Sequence, residues 1–223
     1  MSVLLCNSGS GFGVLGGEAG RLGYGCLVFL VSPDRLGDLP DLDVGVDVVW
    51  GVLLEPGSVG EFKGLVGGCG DVDFVVVRSV GDVDVDRAVV LDGRVDLLLL
   101  GGGDVVDYVL ARECGERGVG VGFDLKELLD SRGYRRSLLV RRFRKDVEVL
   151  GKYGCSVVPS LLCRDRFDVK APRDFRSLLG VFGFDVGLFG DSREFILDRV
   201  SYNRRGGSSG FVEPGIEVVD DED

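Results

Sequence analysis

Short, nearly continuous runs of apolar residues recur along the chain, and many of their members are β-branched. Seven runs have the length of a strand: 26–31, 46–54, 74–77, 88–91, 95–100, 119–123 and 156–160. Because the apolar positions are continuous rather than alternating, both faces of each strand are predicted to be covered, which is typical of parallel α/β sheets. Residues 1–23 are rich in glycine with little periodicity, and the pattern assigns no element there.

Helical periodicity lies between the later runs. The clearest helix is predicted over 137–153, where one apolar stripe consists of four residues at helical spacing: Leu139, Phe143, Val147 and Leu150. A second helix is predicted over 104–117, with Asp104 as its cap and three residues on its apolar side: Val105, Tyr108 and Val109.

Two further helices are predicted over 171–182 and 192–203. The first begins with Pro172, and Asp174 follows closely; both residues are favoured at a helix start, so their role is interpreted as structural.

The alternation of strands and helices predicts an α/β domain, either a barrel or a doubly wound sheet. Seven runs and no clear linker favour a TIM-barrel-like fold, a single imperfect (β/α) barrel over 1–205. Residues 206–223 are predicted to be an acidic, disordered tail that ends in the run 220–223.

The charge distribution changes this picture. The chain has 26 Lys and Arg against 37 Asp and Glu, but residues 132–176, the basic segment, hold 13 basic against five acidic residues, a net of +8. A chain with a net charge of −11 gains nothing from its bulk charge when it meets a polyanion, so any phosphate binding must be local to this segment. The alternative is an ordinary solvated surface.

Four cations stand near the predicted start of the helix 137–153: Arg141, Arg142, Arg144 and Lys145. Cations at a helix N-terminus oppose the macrodipole at a cost of about 0.3–1 kcal/mol each, and such a local conflict is typical of a functional site. If these cations have a functional role, the guanidinium groups among them are suited to binding phosphate oxygens. The alternative is that these side chains lie along apolar surface and pair with Asp130 or Asp146.

Missing residues narrow the possible chemistry. The chain has no His, which removes the usual general base near neutral pH and the commonest zinc ligand, and so lowers the expectation of a self-sufficient hydrolase. None of the six cysteines forms a C-x-x-C pair, so they are predicted to be buried thiols in a reducing compartment. No apolar run approaches the roughly 18 residues that cross a bilayer, and we expect a cytoplasmic location.

Other patterns are weaker. The run 101–104 (GGGD) follows a predicted strand but lacks the Lys and Ser/Thr of a P-loop, so a simple turn is the better interpretation. Two groups of alternating Asp residues, at 71 and 73 and at 82, 84 and 86, are interpreted as surface charge in loops. Trp50 and Phe74 are predicted to pack in the core.

Three motifs give a family resemblance. Residues 119–129 read VGVGFDLKELL, residues 167–174 read FDVKAPRD, and SLLG follows at 177–180. In order, spacing and residue type over 119–203, the chain resembles the ribonuclease P protein component 3 family of archaea and eukaryotes. DYVLA at 107–111 and FVEPG at 211–215 also fit, although Tyr108 stands where the family usually has His. Residues 159–162 (PSLL) are less polar than the family's usual ending of that strand.

The resemblance implies a TIM-barrel-like fold related to the polymerase-and-histidinol-phosphatase metal hydrolases. It also implies a role in the ribonucleoprotein that removes the 5′ leader from precursor tRNA, as a non-catalytic subunit that binds and stabilises the catalytic RNA. Mg²⁺ is then expected on the RNA, with no cofactor on this chain. The implied partners are the ribonuclease P RNA, ribonuclease P protein component 2 and the other ribonuclease P proteins, with precursor tRNA met indirectly and no membrane.

Six cations in or beside the basic segment coincide with the family pattern and are predicted to contact RNA: Lys126, Arg136, Arg141, Lys145, Lys152 and Arg173. Arg135, Arg142 and Arg144 are predicted neighbours.

Two other functions stay open. One is a metal-dependent phosphoesterase on a related barrel, with Asp, Glu or Cys ligands that suit Mg²⁺ or Mn²⁺ at best. The other is a small-molecule enzyme that holds phosphate at the turn 101–104.

Overall fold

Seven parallel strands, hydrogen-bonded in chain order, form the frame of the computed structural model. The structure describes residues 2–7, 11–70, 72–101, 104, 106–183, 192–206, 211–213 and 216–217. The strands are β1 (Ser2–Asn7), β2 (Tyr24–Val31), β3 (Asp47–Leu54), β4 (Phe74–Arg78), β5 (Leu97–Leu100), β6 (Gly120–Asp124) and β7 (Val157–Ser160).

The chain closes this sheet just beyond β7. Cys163 forms a parallel bridge to Cys6 of β1: its N–H donates to the Leu5 carbonyl at 3.2 Å, and its own carbonyl accepts from the Asn7 N–H at 3.0 Å. The result is a TIM-barrel-like fold with seven strands in place of the usual eight, which confirms the expectation of an imperfect barrel.

Helices surround the barrel: α1 (Phe12–Arg21), α2 (Val59–Gly67), α3 (Val83–Leu91), α4 (Tyr108–Arg117), α5 (Leu125–Asp130), α6 (Gly133–Lys152), α7 (Pro172–Val181) and α8 (Ser192–Gly206). A short 3₁₀ turn, Pro33–Arg35, lies between β2 and β3. Near the C-terminus, β8 (Phe211–Glu213) pairs antiparallel with β9 (Ile216–Glu217).

Two apolar clusters explain why the strands are continuously hydrophobic. In β2, Cys26, Val28 and Leu30 belong to a cluster inside the barrel, and the alternate residues belong to the layer between barrel and helices. The register places Phe29 beside Trp50 of β3, and the two rings are 5.4 Å apart. All eight residues of β2 are therefore buried, as predicted for a strand covered on both faces.

Helix α8 fills the end of the barrel at which the strands begin. Ile196 and Val200 belong to the inner cluster. Phe195 packs so closely on Gly120, the first residue of β6, that a Cβ there would lie 2.6 Å from the ring. Asp96 lies just before β5 and is fully buried. In β/α folds the sites usually lie at the opposite end of the barrel, where the strands end.

Several hydrogen bonds hold α8 in place. One Asp96 oxygen accepts from the Arg199 Nε at 2.8 Å, and the other accepts from the Asn203 amide at 2.9 Å and the Val75 N–H at 2.8 Å. Burial raises the pKa of Asp96, and the charge of Arg199 opposes that shift. Arg204 forms two 2.7 Å bonds with Asp73, just before β4.

One predicted strand is wrong. Residues 88–91 are the end of α3, whose cap is Asp82: its carboxylate accepts from the N–H groups of Asp84 and Val85. The alternating aspartates that read as a loop are this cap and the first turn, and Asp86 is buried. A β-branched run became helical because the cap and the packed valines outweigh its strand propensity.

The glycine-rich start of the chain and residues 59–67 hold elements that the pattern did not assign. Residues 2–7 are β1, residues 12–21 are α1, and residues 59–67 are α2. Glycine is required in α1 because a Cβ at Gly16 would lie 2.8 Å from the Val44 side chain. The glycine-rich composition therefore gave no indication of α1, a helix whose small residues allow close packing.

The cap predicted for α4 is also wrong. The helix begins at Tyr108, and the Asp107 carboxylate caps it by accepting from the Leu110 N–H at 2.7 Å. Its buried side is Leu110, Ala111 and Cys114, whereas Tyr108 is exposed; Val105 lies outside the described residues.

Other predictions hold. The stripe Leu139, Phe143, Val147 and Leu150 is buried in α6, although that helix starts at Gly133. All six cysteines are free and buried, Phe74 is buried, and Trp50 packs on Phe12 at 5.2 Å. Across the described residues, no helix is both long and apolar enough to cross a membrane. The tail at 206–223 lies mostly outside the described part, including 220–223, so its disorder and the boundary at 205 stay predictions.

The α8 network predicts a large stability effect. Arg199→Met removes the guanidinium from a fully buried carboxylate, and we expect a loss of about 3 kcal/mol in the free energy of unfolding, measured by urea denaturation. The control is Arg21→Met, which breaks an exposed pair with Glu18 and should leave the unfolding midpoint unchanged. Equal effects of the two substitutions would contradict the role given to Asp96.

Candidate nucleic-acid interface

The apolar stripe of α6 fixes which way its cations point. Leu139, Phe143, Val147 and Leu150 are buried, and the Phe143 ring lies 5.0 Å from that of Phe123 in β6. The face opposite the stripe is left to solvent. Three exposed cations, Arg141, Arg144 and Lys145, share this face because residues three and four apart on a helix are neighbours.

The predicted conflict with the helix dipole is wrong for these cations. Because α6 begins at Gly133 rather than near residue 137, they stand in its third and fourth turns. The dipole acts mainly within the first turn, where only Arg135 and Arg136 lie. The N-terminal cap residue, Arg132, makes no side-chain capping bond.

On this face, Arg141 and Lys145 have no ion-pair partner within the described protein. Both are exposed, and neither forms an ion pair or a side-chain hydrogen bond with the described residues. Lys152, further along, lies 3.6 Å from Glu148 on the same helix. Arg141 and Lys145 therefore offer full charges to a polyanion.

Arg144 joins α6 to the end of α7. Its Nε donates to the Phe182 carbonyl at 2.6 Å, and its guanidinium lies against Gly183. A groove of about 610 Å³ runs along this junction. Its lining combines cations with Val140 and Phe182: Arg136, Arg141, Arg144 and Lys145. The junction keeps the exposed face of α6 in a fixed position relative to α7.

Two of the predicted residues, Lys126 and Arg136, have partners within the protein. Lys126 is ion-paired with Asp168 and lies 4.0 Å from Asp130. Arg136 is half-buried and donates to the Leu129 carbonyl near the end of α5 at 2.9 Å. Their RNA contacts stay predictions, and the structure adds that each also holds neighbouring segments together.

The remaining predicted residues are spread around this face. Arg142 is half-buried, and its charge acts on the carboxyls of Asp146 and Asp104. Arg142 and Asp146 form no ion pair in the described part, so pairing with Asp146, the alternative interpretation of these cations, stays a prediction. Arg135 pairs with Glu127 at 2.8 Å. Arg173 is exposed in the first turn of α7, between Pro172 and Asp174, so it belongs to another helix.

A second cavity of about 550 Å³ lies where β6 ends and α6 begins. Eight residues line it: Asp124, Lys126, Glu127, Asp130, Ser131, Arg132, Arg135 and Arg164. The sequence analysis did not select Arg132 and Arg164. Both lie in the basic segment, but no spacing rule connects the start of one helix with the loop after β7, and only the fold brings them together.

Carboxyl groups are buried behind α6. Burial raises the pKa of Asp86 to about 6 and that of Asp146 to about 6, with Arg142 opposing the shift in Asp146. One Asp86 oxygen accepts from the Ser79 hydroxyl at 2.8 Å, and the other is buried without a hydrogen bond to the described residues.

These carboxyls do not form a metal site. Among the residues that the structure describes, no three His, Cys, Asp or Glu side chains converge closely enough to hold a metal ion. Asp104 accepts from the Gly101 N–H and does not open a helix, because the next helix, α4, begins only at Tyr108. Gly102 and Gly103 lie outside the described residues.

The chain matches no protein-family model, but it is similar to curated proteins. It is 30% identical over 197 residues to ribonuclease P protein component 3 of Methanosarcina acetivorans, which covers 86% of this chain and 80% of the relative. It is 31% identical over 176 residues to the protein of the same name from Halorubrum lacusprofundi, covering 78% of this chain and 73% of the relative.

Solved structures show the same fold. A chain in the cryo-EM structure of archaeal ribonuclease P with mature tRNA aligns over 100% of both chains with a TM-score of 0.80 and 20% identity. Histidinol phosphate phosphatase from Lactococcus lactis, solved with zinc, aligns over 82% of this chain and 95% of its own with a TM-score of 0.50 and 10% identity.

The buried Asp86 predicts an unusual dependence of stability on pH. Its folded pKa of about 6 exceeds its unfolded value, so the folded state binds the extra proton and Asp86 lowers stability progressively as pH rises from about 4 to about 6. We expect Asp86→Asn to remove a penalty on the order of 2 kcal/mol at pH 7.5 and little at pH 4.

Thermal unfolding across that pH range measures the effect. The control is Asp84→Asn, an exposed position in the same helix turn. A gain from Asp86→Asn that is equally large at pH 4 and at pH 7.5 would contradict the assignment.

Proposed function

The chain belongs to the ribonuclease P protein component 3 family, and we infer from that membership that it acts as a protein subunit of ribonuclease P, the enzyme that processes the 5′ end of tRNA. Within this role, we propose that it binds and stabilises the catalytic RNA. The contact surface is the exposed face of α6, centred on Arg141 and Lys145, with Lys152 and Arg173 at its margins.

One observation carries this proposal: Arg141 and Lys145 lie one turn apart, both exposed and both without an ion pair among the described residues. Other cations of the chain pair with a carboxylate, as Lys126, Arg135 and Arg199 do, whereas Arg141 and Lys145 do not. Unpaired neighbouring cations attract phosphate without reading base sequence. Their spacing suits backbone contacts that position an RNA strand.

The residues of the chain indicate which tasks belong to the protein and which to the RNA. With no His in the sequence and no metal-ligand cluster in the described part, the chain offers neither a general base nor a Lewis acid of the usual kind. We therefore propose that the Mg²⁺ ions that act on precursor tRNA are held by the partner RNA, and that this chain contributes RNA binding.

The partners that we propose are the ribonuclease P RNA, ribonuclease P protein component 2 and the other ribonuclease P proteins. In this proposal the chain interacts with precursor tRNA only indirectly, through the assembled particle. A cytoplasmic location stays a prediction.

A metal-dependent phosphoesterase is the second candidate. It has a fold likeness to a histidinol phosphate phosphatase in its favour. A fold alone does not give an activity, and the described residues lack the ligand set that such chemistry needs. RNA binding explains the unpaired cations of α6, which a phosphoesterase with another site would leave unexplained.

RNA binding by Arg141 and Lys145 predicts a change in salt dependence. The variant Arg141→Gln with Lys145→Gln should bind the ribonuclease P RNA more weakly, and the slope of log K against log salt should become shallower by about one unit for each lost phosphate contact. Filter binding or fluorescence anisotropy over a range of KCl concentrations measures both quantities.

The matched control makes the same charge change elsewhere. Lys63→Gln with Arg117→Gln also removes two exposed cations, one from α2 and one from α4. It should keep the affinity and slope of the unmodified chain, apart from a small effect of net charge. If both double variants weaken binding equally, or neither does, α6 is not the contact surface.

A further inference from the structure

The cavity at the end of β6 has a net positive lining. Four cations and three carboxylates line it, a net of +1. Glu127 lies 2.8 Å from Arg135, and Lys126 is shared between Asp130 and Asp168. The lining also contains Arg132 and Arg164, for which no ion pair or side-chain hydrogen bond exists among the described residues.

These two cations come from different parts of the chain. Arg132 directly precedes the first residue of α6, and Arg164 begins the loop that follows the barrel closure at Cys163. Both side chains are exposed, but the backbone that carries them is fixed by neighbouring hydrogen bonds. The cavity volume of about 550 Å³ is within the range of ordinary ligand sites.

The loop at 164–168, whose first residue lines this cavity, also carries an exposed aromatic ring. The Asp168 carboxylate accepts from the Arg164 N–H at 3.0 Å and pairs with Lys126, and the Asp165 carboxylate accepts from the Phe167 N–H at 2.7 Å. These bonds hold the loop in one conformation. At its turn Phe167 is 73% exposed, with the Arg166 guanidinium carbon 4.8 Å from its ring centre.

We propose that this cavity binds an unpaired nucleotide of the RNA partner, with its phosphate between Arg132 and Arg164 and its base stacked on Phe167. The proposal rests on the proposed function, because it requires RNA at this side of the barrel. A base within a duplex has both faces covered by its neighbours, so only an unpaired base can stack on a protein ring. A basic groove with an aromatic platform is the usual arrangement for single strands.

The chemistry of the lining argues against a protein partner at this cavity. The buried core of a protein interface is poor in charge, whereas the eight residues that line this cavity are all charged except Ser131. The exposed ring of Phe167 is flanked in the sequence by the charged residues Arg166 and Asp168, and the Arg166 guanidinium lies over it.

The test compares a single strand with a duplex. The probes are a fluorescein-labelled ten-nucleotide oligouridine and a blunt ten-base-pair RNA duplex, and binding to the full chain is followed by anisotropy at low salt. Phe167→Ala should weaken binding of the oligouridine roughly 5- to 100-fold, as expected for loss of one stacked base, and leave the duplex unchanged. Phe167→Trp should retain oligouridine binding.

Two controls separate this inference from the proposed function. Val181→Ala removes another exposed apolar side chain, 81% exposed at the end of α7, and should change neither affinity. Arg132→Gln with Arg164→Gln should weaken oligouridine more than duplex. The Arg141→Gln and Lys145→Gln variant should weaken both, since backbone contacts are common to both probes.

The outcomes are distinct. If Phe167→Ala leaves oligouridine binding unchanged, or weakens both probes equally, no unpaired base stacks there and this inference fails while the role of α6 stands. If Phe167→Ala keeps all RNA binding but impairs assembly with the other ribonuclease P proteins, the ring belongs to a protein contact and the inference also fails. If neither probe nor the ribonuclease P RNA binds the unmodified chain, the proposed function fails with it.

Discussion

The buried carboxylate of Asp96 holds in place the helix that fills one end of the barrel. A closed barrel of seven parallel strands must be filled with side chains, and here α8 completes the filling at the end where the strands begin, through Ile196 and Val200. A charge at the rim of that apolar plug is tolerated because Arg199 and Asn203 satisfy it. With that end closed, the carboxyl ends of the strands and the start of α6 form the surface that remains for partners.

The acidic composition makes the few unpaired cations informative. Most basic side chains have a structural use: Arg199 and Arg204 secure α8, Lys126 fixes the loop after β7, and Arg144 ties α6 to α7. Arg141 and Lys145 of α6 and Arg173 of α7 are among the cations that have no ion pair in the described part. A polyanion is attracted to this one region of a protein whose net charge is −11. The local field, not the net charge, is therefore the property that suits the chain to an RNA partner.

How much of the structure could be predicted from the sequence depended on whether a feature is set by residues that lie close together in the chain. The stripe of α6 is a local periodicity, and its four residues are buried as predicted. Continuous apolar runs located six of the seven barrel strands, but 88–91 and the glycine-rich start were misread, since the Asp82 cap and the contact of Gly16 with Val44 outweigh local propensity. The cations of the site could be selected from the basic segment. Which of these cations are ion-paired could not be predicted from the sequence, because the partner of Lys126 lies 42 residues away.

The most direct measurement is cleavage of precursor tRNA by reconstituted ribonuclease P at limiting Mg²⁺, with this chain present or left out. Omission should lower 5′-leader removal, and raising Mg²⁺ should recover part of the loss, since the chain supports an RNA that holds the metal. Equal cleavage with and without the chain, in a preparation whose RNA and other proteins are active, would contradict a role for this barrel in supporting the catalytic RNA.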